Sequence, residues 1–328
     1  MKVLVYIAWG VKAWKIPEHQ VAVLRQRFPE ITFLHEVDEA DALRSIQDVE
    51  VSFSSRLTDA MIENARCLRW VHSAAAAVEG LLPLAHLSRR NITVTNSRGI
   101  QAIPIAEQAM AGLLALARRM DLTFAAQREK RWIQGQLCDT DWPWMLHRKT
   151  MTILGLGTIG IEVAKRAHAF GMRVTGVRRS ADRPKPDFVD RVLGTDRLAE
   201  GLAGCDILVV AAPFVTRTNR LIGAGQLALL NPGAILVNVA RGQIVAEDAM
   251  VDSLRTGHLG GAVLDVFDRE PLDPSSPLWS LANVVVSPHS SGFRASHWDD
   301  VIDLFSENLR RYQRGEPLLN PVDCSAGY

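Results

Sequence analysis

A glycine motif near residue 155 is the first feature of the chain that could carry chemistry. It fits the pattern G-x-G-x-x-G, follows a short apolar strand and opens a helix. In that context the first glycine allows a tight turn, the second lets a pyrophosphate approach the backbone, and the third permits close helix–strand packing. The helix N-terminus then offers free N–H groups to phosphates. We predict dinucleotide binding, with a purely structural glycine turn as the alternative, by Gly155, Leu156, Gly157, Thr158, Ile159 and Gly160.

The end of the following strand indicates the type of dinucleotide. NAD sites usually carry an acidic residue there, about 20 residues after the glycines, which binds the ribose hydroxyls. Here the predicted strand 173–177 is followed by Arg178, Arg179 and Ser180. Two guanidinium groups and a hydroxyl suit a 2′-phosphate better. We predict that NADP(H) is preferred and NAD(H) is possible, the alternative being a solvated strand end that confers no preference.

Three further polar residues, Arg241, Glu270 and His289, stand at or just past the ends of later predicted strands. Ligands collect at the carboxyl ends of the strands in open α/β sheets. Taken singly, an Arg–Glu pair is often a surface ion pair, and a His after a Pro is often part of a turn. The three residues together, behind a dinucleotide loop, favour an active site.

Two successive patterns of alternating strand and helix must position these residues. Short apolar strands separated by amphipathic stretches predict parallel sheets covered on both faces. The first pattern has predicted strands at 2–7, 31–34, 49–53, 69–72 and 92–96. The second has six, at 151–154, 173–177, 207–211, 234–238, 261–265 and 284–287.

The predicted fold class is α/β, with two doubly wound parallel-sheet domains and a Rossmann cofactor domain inserted into a flavodoxin-like substrate domain. A chain of 328 residues exceeds what one core usually holds. Helix 103–120 should join the halves as a core or subunit-contact helix, and helix 295–314 should return to the first domain. We predict a discontinuous substrate-binding domain, 1–97 plus 293–328, and a dinucleotide-binding domain, 98–292.

Composition and charge exclude several classes of protein. Lys plus Arg is 37 and Asp plus Glu is 36, so the formal charge, 37 − 36, is +1. That balance argues against nucleic-acid or anionic-membrane binding, and no apolar run approaches the roughly 20 residues of a membrane span. The four dispersed cysteines suggest neither disulfides nor a zinc site. We expect a cytoplasmic protein without a metal.

Several motifs, in order, resemble those of the D-isomer-specific 2-hydroxyacid dehydrogenase family. The similarity runs from about residue 50 to the C-terminus. It covers residues 68–73, 105–107, the glycine motif, 238–242, 265–271, 287–289 and 308–312. Motifs of this number and order are far more specific than the glycine loop alone.

The resemblance implies a role for each candidate residue. His289 would be the acid and base, because histidine exchanges a proton near neutrality, and Glu270 would fix its tautomer and stabilise the imidazolium. Arg241 would bind the substrate carboxylate and polarise the keto oxygen. Asp265 would hold the nicotinamide carboxamide. Further cofactor contacts would come from Pro213, Thr218, Val239, Ala240, Arg241 and His289.

The resemblance also implies that a loop of the first domain donates backbone N–H groups to the substrate, here at Ala76, Ala77 and Val78. The family often has glycines where this chain has Ala75 and Ala77. A methyl group at each position restricts φ and narrows the approach, which either favours a small substrate or shifts the loop. Phosphoglycerate dehydrogenases usually carry an added C-terminal regulatory domain, which we expect to be absent because the chain stops at Tyr328.

These features lead to one functional hypothesis and several alternatives. The hypothesis is NADPH-dependent reduction of a small 2-keto acid, of the glyoxylate or hydroxypyruvate type, to the D-2-hydroxy acid by a homodimer. The same chemistry on a bulkier 2-keto acid remains open, as does a cofactor-sensing, corepressor-like interaction protein. A short-chain reductase is excluded because it needs Tyr-x-x-x-Lys, a pair that none of the three tyrosines, Tyr6, Tyr312 and Tyr328, can form.

Overall fold

The computed structural model describes residues 1–140 and 144–327, so Tyr328 lies outside the described residues. The chain divides into two compact units. Unit 1 comprises Met1–Gln101 and Arg294–Tyr328, and unit 2 comprises Ala102–Phe293. The sequence analysis placed the two boundaries after residues 97 and 292.

Twelve strands and twelve α-helices are found among the described residues. The strands are β1 (Lys2–Tyr6), β2 (Thr32–Glu36), β3 (Val51–Ser54), β4 (Trp70–Ser73), β5 (Thr93–Asn96), β6 (Thr150–Leu154), β7 (Arg173–Val177), β8 (Arg191–Leu193), β9 (Ile207–Val210), β10 (Ala234–Asn238), β11 (Leu259–Leu264) and β12 (Val284–Val286). The helices are α1 (Glu18–Arg27), α2 (Glu39–Ser45), α3 (Asp59–Asn64), α4 (Leu84–Arg89), α5 (Ala102–Ala117), α6 (Met120–Arg128), α7 (Gln134–Cys138), α8 (Thr158–Ala169), α9 (Leu198–Leu202), α10 (Ala224–Leu227), α11 (Glu247–Arg255) and α12 (His297–Arg314).

Unit 1 is built on a parallel sheet with the strand order β2-β1-β3-β4-β5. This is the flavodoxin-like order. Every residue of β3 and β4 is buried, because helices cover both faces of the sheet. On one face α12 packs against α1, and Phe305 of α12 stacks on Phe53 of β3 with ring centroids 4.2 Å apart.

Unit 2 is built on a parallel sheet with the order β12-β11-β10-β9-β6-β7-β8. The strand order reverses between β6 and β9, and ligands bind at the carboxyl ends of strands at such a point. The predicted fold class of two doubly wound parallel sheets is confirmed. The prediction of six strands in this sheet was wrong, because β8 begins with an exposed arginine and has only two apolar residues, which show no pattern.

The predicted helix 103–120 is interrupted. Helix α5 ends at Ala117, and Arg119 adopts left-handed backbone angles with φ of 49° before α6 begins. Nine residues of α5 are buried, and the helix packs against α8. It is therefore a core helix of unit 2. None of the helices in the described parts of the chain is both long and apolar enough to cross a membrane.

Candidate active site

The glycine loop joins β6 to α8 at the switch point of the unit 2 sheet. Gly155 has φ of +99°, and a Cβ there would lie 2.5 Å from the Ala212 nitrogen. A Cβ on Gly160 would lie 2.1 Å from the Gly155 carbonyl oxygen, so both positions require glycine. Beside Gly157, by contrast, nothing lies within 4 Å of the Cβ position. Gly157 is also the N-cap of α8 and gives it no side-chain cap, so open space adjoins the helix N-terminus and fits a phosphate.

The other three residues of this loop differ in how far they are buried. Leu156 is buried, and its side chain fills the space that a Cβ on Gly176 would need. Thr158 and Ile159 form the first turn of α8.

The strand end predicted to select the cofactor has one arginine tied to the protein. The Arg178 guanidinium donates through Nη2 to the carbonyl oxygens of Arg183 and, at 3.1 Å, of Pro184. Its Nε is buried and has no partner among the described residues. Arg179 is exposed and Ser180 is half-buried. Arg178 thus shapes its own loop, and Arg179 is the most exposed member of the trio.

Further predicted cofactor contacts lie just after β9 and β10. The Thr218 hydroxyl lies 3.0 Å from the Pro213 carbonyl oxygen and 2.8 Å from the Val215 N–H, and so closes the loop after β9. Val239 and Ala240 are buried and follow β10 directly. Each of these residues lies near the carboxyl edge of the unit 2 sheet.

Arg241 is positioned by the turn that ends β10. The Asn238 side chain accepts from the Ala240 N–H at 3.1 Å and donates to the Arg241 carbonyl at 3.0 Å. Arg241 itself donates through Nη1 to the Ala240 carbonyl at 2.7 Å. The next residue, Gly242, lies so close to the chain after β11 that a Cβ would be 1.9 Å from the Phe267 carbonyl carbon. This contact brings the ends of β10 and β11 together.

His289 and Glu270 form a hydrogen-bonded pair. The distance from His289 Nδ1 to Glu270 Oε2 is 2.7 Å. Because an ionised carboxylate only accepts hydrogen bonds, Nδ1 carries the proton. Nε2 makes no hydrogen bond with the described residues, and the His289 side chain is 48% exposed. The second ring nitrogen is therefore available to exchange a proton with a ligand.

Glu270 remains ionised although its side chain is only 34% exposed. Burial raises the pKa of its carboxyl, but hydrogen bonds from His289 and the Phe267 N–H, and the charges of His289 and Arg241, lower it by more. The Phe267 N–H donates to Oε1 at 3.0 Å. The net result is a pKa below the usual glutamate value. An ionised Glu270 is suited to stabilise a positive charge on His289.

Asp265 holds the loop that carries His289. Its buried carboxylate accepts from the Ser287 hydroxyl at 2.7 Å, the Ser290 N–H at 3.0 Å, and the Ser291 N–H at 3.1 Å. The Ser291 hydroxyl donates to it as well. The resemblance implied that Asp265 binds the nicotinamide carboxamide, whereas both of its oxygens here accept bonds from the protein. His289 lies between the residues that Asp265 binds. Its backbone φ is +49°, an uncommon value for a residue other than glycine.

The predicted substrate loop lies in unit 1, after β4. Ala76 and Ala77 are half-buried, and their N–H groups have no acceptor among the described residues. Val78 differs, because its side chain is fully buried and its N–H donates to Glu79 Oε2 at 3.0 Å. In this structure the N–H groups of Ala76 and Ala77 are open to a carboxylate, whereas that of Val78 is bonded to the Glu79 side chain.

The structure thus gathers Arg241, Glu270 and His289 at one edge of one sheet, with the glycine loop on the same sheet. Sequence reasoning missed the residues that support them, above all Asn238 and Ser291. Asn238 lies in a quoted motif and Ser291 lies two residues after His289. Neither gives a signal by itself, because a polar residue near a strand end is ordinary.

A dinucleotide cradle with a protonatable histidine, a carboxylate partner and a fixed cation nearby defines a nicotinamide-dependent oxidoreductase. The sequence profile described as "D-isomer specific 2-hydroxyacid dehydrogenase, NAD binding domain" matches residues 110–291. The chain belongs to the D-isomer-specific 2-hydroxyacid dehydrogenase family. It is an NAD(P)-dependent enzyme of that family.

Individual relatives agree over nearly the whole chain. Glyoxylate reductase of Thermococcus gammatolerans is 32% identical over 92% of this chain and 91% of its own length. A dehydrogenase of the family from Xanthobacter autotrophicus, solved in complex with NADPH and MES, is 30% identical with a TM-score of 0.81, covering 99% of both chains. The NADPH-dependent glyoxylate/hydroxypyruvate reductase of Sinorhizobium meliloti, solved with NADP and sulfate, is 25% identical with a TM-score of 0.83, covering 100% of both.

Proposed function

We propose that the protein reduces a small 2-keto acid of the glyoxylate or hydroxypyruvate type to the D-2-hydroxy acid, with NADPH as the reductant. The observation that carries this proposal is the 2.7 Å contact of His289 with Glu270 on the sheet that bears the glycine loop and Arg241. The names of the relatives support the substrate class.

The residues divide the work of the reaction as follows. A reduced nicotinamide held at the glycine loop would supply the hydride for the keto carbon. His289 would donate the Nε2 proton to the keto oxygen, so that this oxygen becomes a neutral hydroxyl group, and Glu270 would stabilise the imidazolium until that transfer. The Arg241 guanidinium attracts the substrate carboxylate and favours the negative charge that develops on the keto oxygen.

The carboxylate of the substrate is proposed to accept hydrogen bonds from the N–H groups of Ala76 and Ala77. The methyl groups of Ala75 and Ala77 occupy room that glycine would leave open. This crowding favours glyoxylate and hydroxypyruvate over keto acids with bulky side chains.

NADPH is proposed as the preferred cofactor because no acidic side chain stands at residues 178–180. Arg179 and Ser180 would hold the 2′-phosphate, and Arg178 would keep their loop in shape. Arg179→Glu should reverse the preference, because a carboxylate repels the phosphate and accepts ribose hydroxyls. Steady-state rates at matched NADPH and NADH concentrations test this, and a native protein faster with NADH would refute it.

A panel of 2-keto acids of increasing size, followed by the loss of NADPH absorbance, tests the reaction itself. We expect kcat/KM to be highest for glyoxylate or hydroxypyruvate and to decline with branched or aromatic side chains. Highest activity with a bulky keto acid would refute the proposed substrate class but would support the proposed hydride and proton transfer. Tight NADPH binding without turnover of any acid would instead favour a cofactor-sensing role.

We further propose a cytoplasmic homodimer. The four cysteines are free thiols, which suits a reducing compartment. Unit 2 exposes the large apolar side chains of Phe124, Trp132 and Met145, which a second subunit could cover. Sedimentation equilibrium should give twice the chain mass, and a monomer at micromolar concentration would exclude the dimer.

A further inference from the structure

A continuous line of hydrogen bonds runs through the core of unit 1, beneath the Ser73–Ala77 segment. Trp70 Nε1 donates to Thr95 Oγ1 at 2.8 Å, and Thr95 Oγ1 lies 2.7 Å from His72 Nδ1. On the other side of the ring, His72 Nε2 lies 3.4 Å from Ser97 Oγ, which donates to the Ser73 carbonyl at 3.0 Å. All five residues are at least 98% buried. None of them is used by the proposed chemistry.

The Ser73 end of the line and the neutrality of the His72 ring together fix the direction of its bonds. The indole N–H of Trp70 can only donate, and the Ser73 carbonyl can only accept. Ser97 gives its single proton to the Ser73 carbonyl, so Ser97 Oγ accepts from Nε2 of His72, which therefore carries a proton. In a neutral ring Nδ1 is then the acceptor, and Thr95 donates its proton to it.

Burial keeps His72 in that state. The ring packs against Phe305, with centroids 5.4 Å apart, and against Phe53 at 5.6 Å. Desolvation lowers the pKa of His72 to about 3. The imidazole therefore serves as a fixed donor and acceptor at neutral pH, unlike a residue that exchanges protons.

The same end of β5 also holds the rest of the segment. The Ser97 N–H donates to the Ala75 carbonyl at 3.2 Å, and the Asn96 side chain donates to the Ala76 carbonyl at 2.6 Å. The carbonyls of Ser73, Ala75 and Ala76 are thereby all bonded to residues 96 and 97. The N–H groups of Ala76 and Ala77 are the ones left for a ligand.

We propose that His72 is a positioning residue for the substrate carboxylate, acting through Ser97 on the backbone of Ser73–Ala77. The inference rests on the proposed function, since the ligand is the carboxylate of the 2-keto acid. Loss of the line should loosen the N–H groups of Ala76 and Ala77 and weaken carboxylate binding. It should leave proton transfer by His289 unchanged, because His289 belongs to the other unit.

Two substitutions of His72 separate positioning from simple packing. Gln can accept from Thr95 through Oε1 and donate to Ser97 through Nε2, whereas Leu can do neither. With saturating NADPH, His72→Leu should raise the KM for the preferred keto acid about tenfold, the effect of about one lost hydrogen bond, with kcat within about twofold of native. His72→Gln should stay close to the native KM. Equal KM values for the two variants, or a loss confined to kcat, would overturn the proposal.

A second pair of variants tests the proposal even if His72→Leu does not fold. Ser97→Ala removes only the last hydroxyl of the line, and it should raise KM in the same direction as His72→Leu. Ser55→Ala is the matched control, because the Ser55 hydroxyl is buried in the same unit and has no partner among the described residues. An unchanged KM in Ser97→Ala, or an equal rise in Ser55→Ala, would contradict the proposal.

Failure of the proposed function can be distinguished from failure of this inference. If the native protein reduces no keto acid, oxalate binding in the presence of NADP⁺ replaces KM as the readout, measured by calorimetry. Weaker oxalate binding in Ser97→Ala than in Ser55→Ala would support the role of the line without any turnover. No oxalate binding by the native protein, or equal affinities in the two variants, would refute it.

Discussion

Two histidines show how the same side chain acquires opposite properties in the two units. His289 stands at a sheet edge, half-exposed, with Nδ1 on a carboxylate and Nε2 without a partner among the described residues. His72 is fully buried, and both of its nitrogens lie on hydroxyl groups. A carboxylate partner stabilises the charged ring, whereas burial among hydroxyls stabilises the neutral ring. His72 is thereby held as a neutral donor and acceptor, whereas Nε2 of His289 stays open to a ligand.

The hydrogen bonds that hold the backbone near each histidine also differ between the two units. The His289 loop is held by the buried carboxylate of Asp265, which accepts four hydrogen bonds. The segment after His72 is held by neutral groups from the end of β5. The His289 loop is thus held by one buried side chain, whereas the proposed substrate loop is held by two consecutive residues, Asn96 and Ser97.

The largest expected effect comes from removing the proton donor. His289→Ala should lower kcat by about 10²- to 10⁴-fold, the usual contribution of a positioned acid or base. NADPH affinity, measured by fluorescence titration, should stay within about threefold of native, because the glycine loop is untouched. Turnover near the native value would remove His289 from the mechanism.

Removing the carboxylate partner should have the next largest effect. Glu270→Gln keeps the size of the side chain but cannot offset the imidazolium charge, so kcat should fall by about 10²-fold. Glu200→Gln is a suitable control, since Glu200 belongs to a surface ion-pair group with Arg191 and Arg197. Similar kcat values for the two variants would mean that Glu270 has no electrostatic role.

His72 should make the fold sensitive to acid. In the unfolded chain its pKa is near 6.5, and in the folded protein it is about 3. Between these values the unfolded state binds more protons, so stability falls as the pH falls below about 6.5. From pH 7 to pH 5 the native protein should lose about 2 kcal/mol more unfolding free energy than His72→Gln. Urea denaturation at both pH values measures this, and parallel losses would show that His72 is not buried as a neutral ring.

The smallest effect is expected among the hydrogen bonds that Asp265 accepts around His289. Ser291→Ala removes one donor from the buried Asp265 carboxylate, which keeps the other three, so unfolding free energy should drop by about 1 kcal/mol. The control is Ser253→Ala, because that hydroxyl is buried in the same unit without a partner among the described residues. Equal urea midpoints for the two variants would show that the Ser291 bond contributes nothing.

The sequence predicted most of the fold because apolar strands between helices leave a clear pattern. Strands β7 and β10 have the bounds that were predicted. The failures have local causes: β8 has only two apolar residues after an exposed arginine, and the left-handed Arg119 ends α5 without a glycine or proline as a signal. At the site, the identities of His289, Glu270 and Arg241 came from motifs, whereas their hydrogen-bond partners did not.

The amino-acid order alone determined the two parallel sheets, the dinucleotide loop and the residue types able to transfer a proton, since periodicity and motif spacing are properties of the chain itself. The tertiary structure alone decided how individual groups are used. In it the Asp265 carboxylate accepts from the loop that carries His289, and Arg178 donates to the Pro184 carbonyl. The Val78 N–H donates to Glu79, and burial keeps His72 neutral. Hydrogen-bond partners and desolvation depend on residues that are distant in sequence, and no local pattern encodes them.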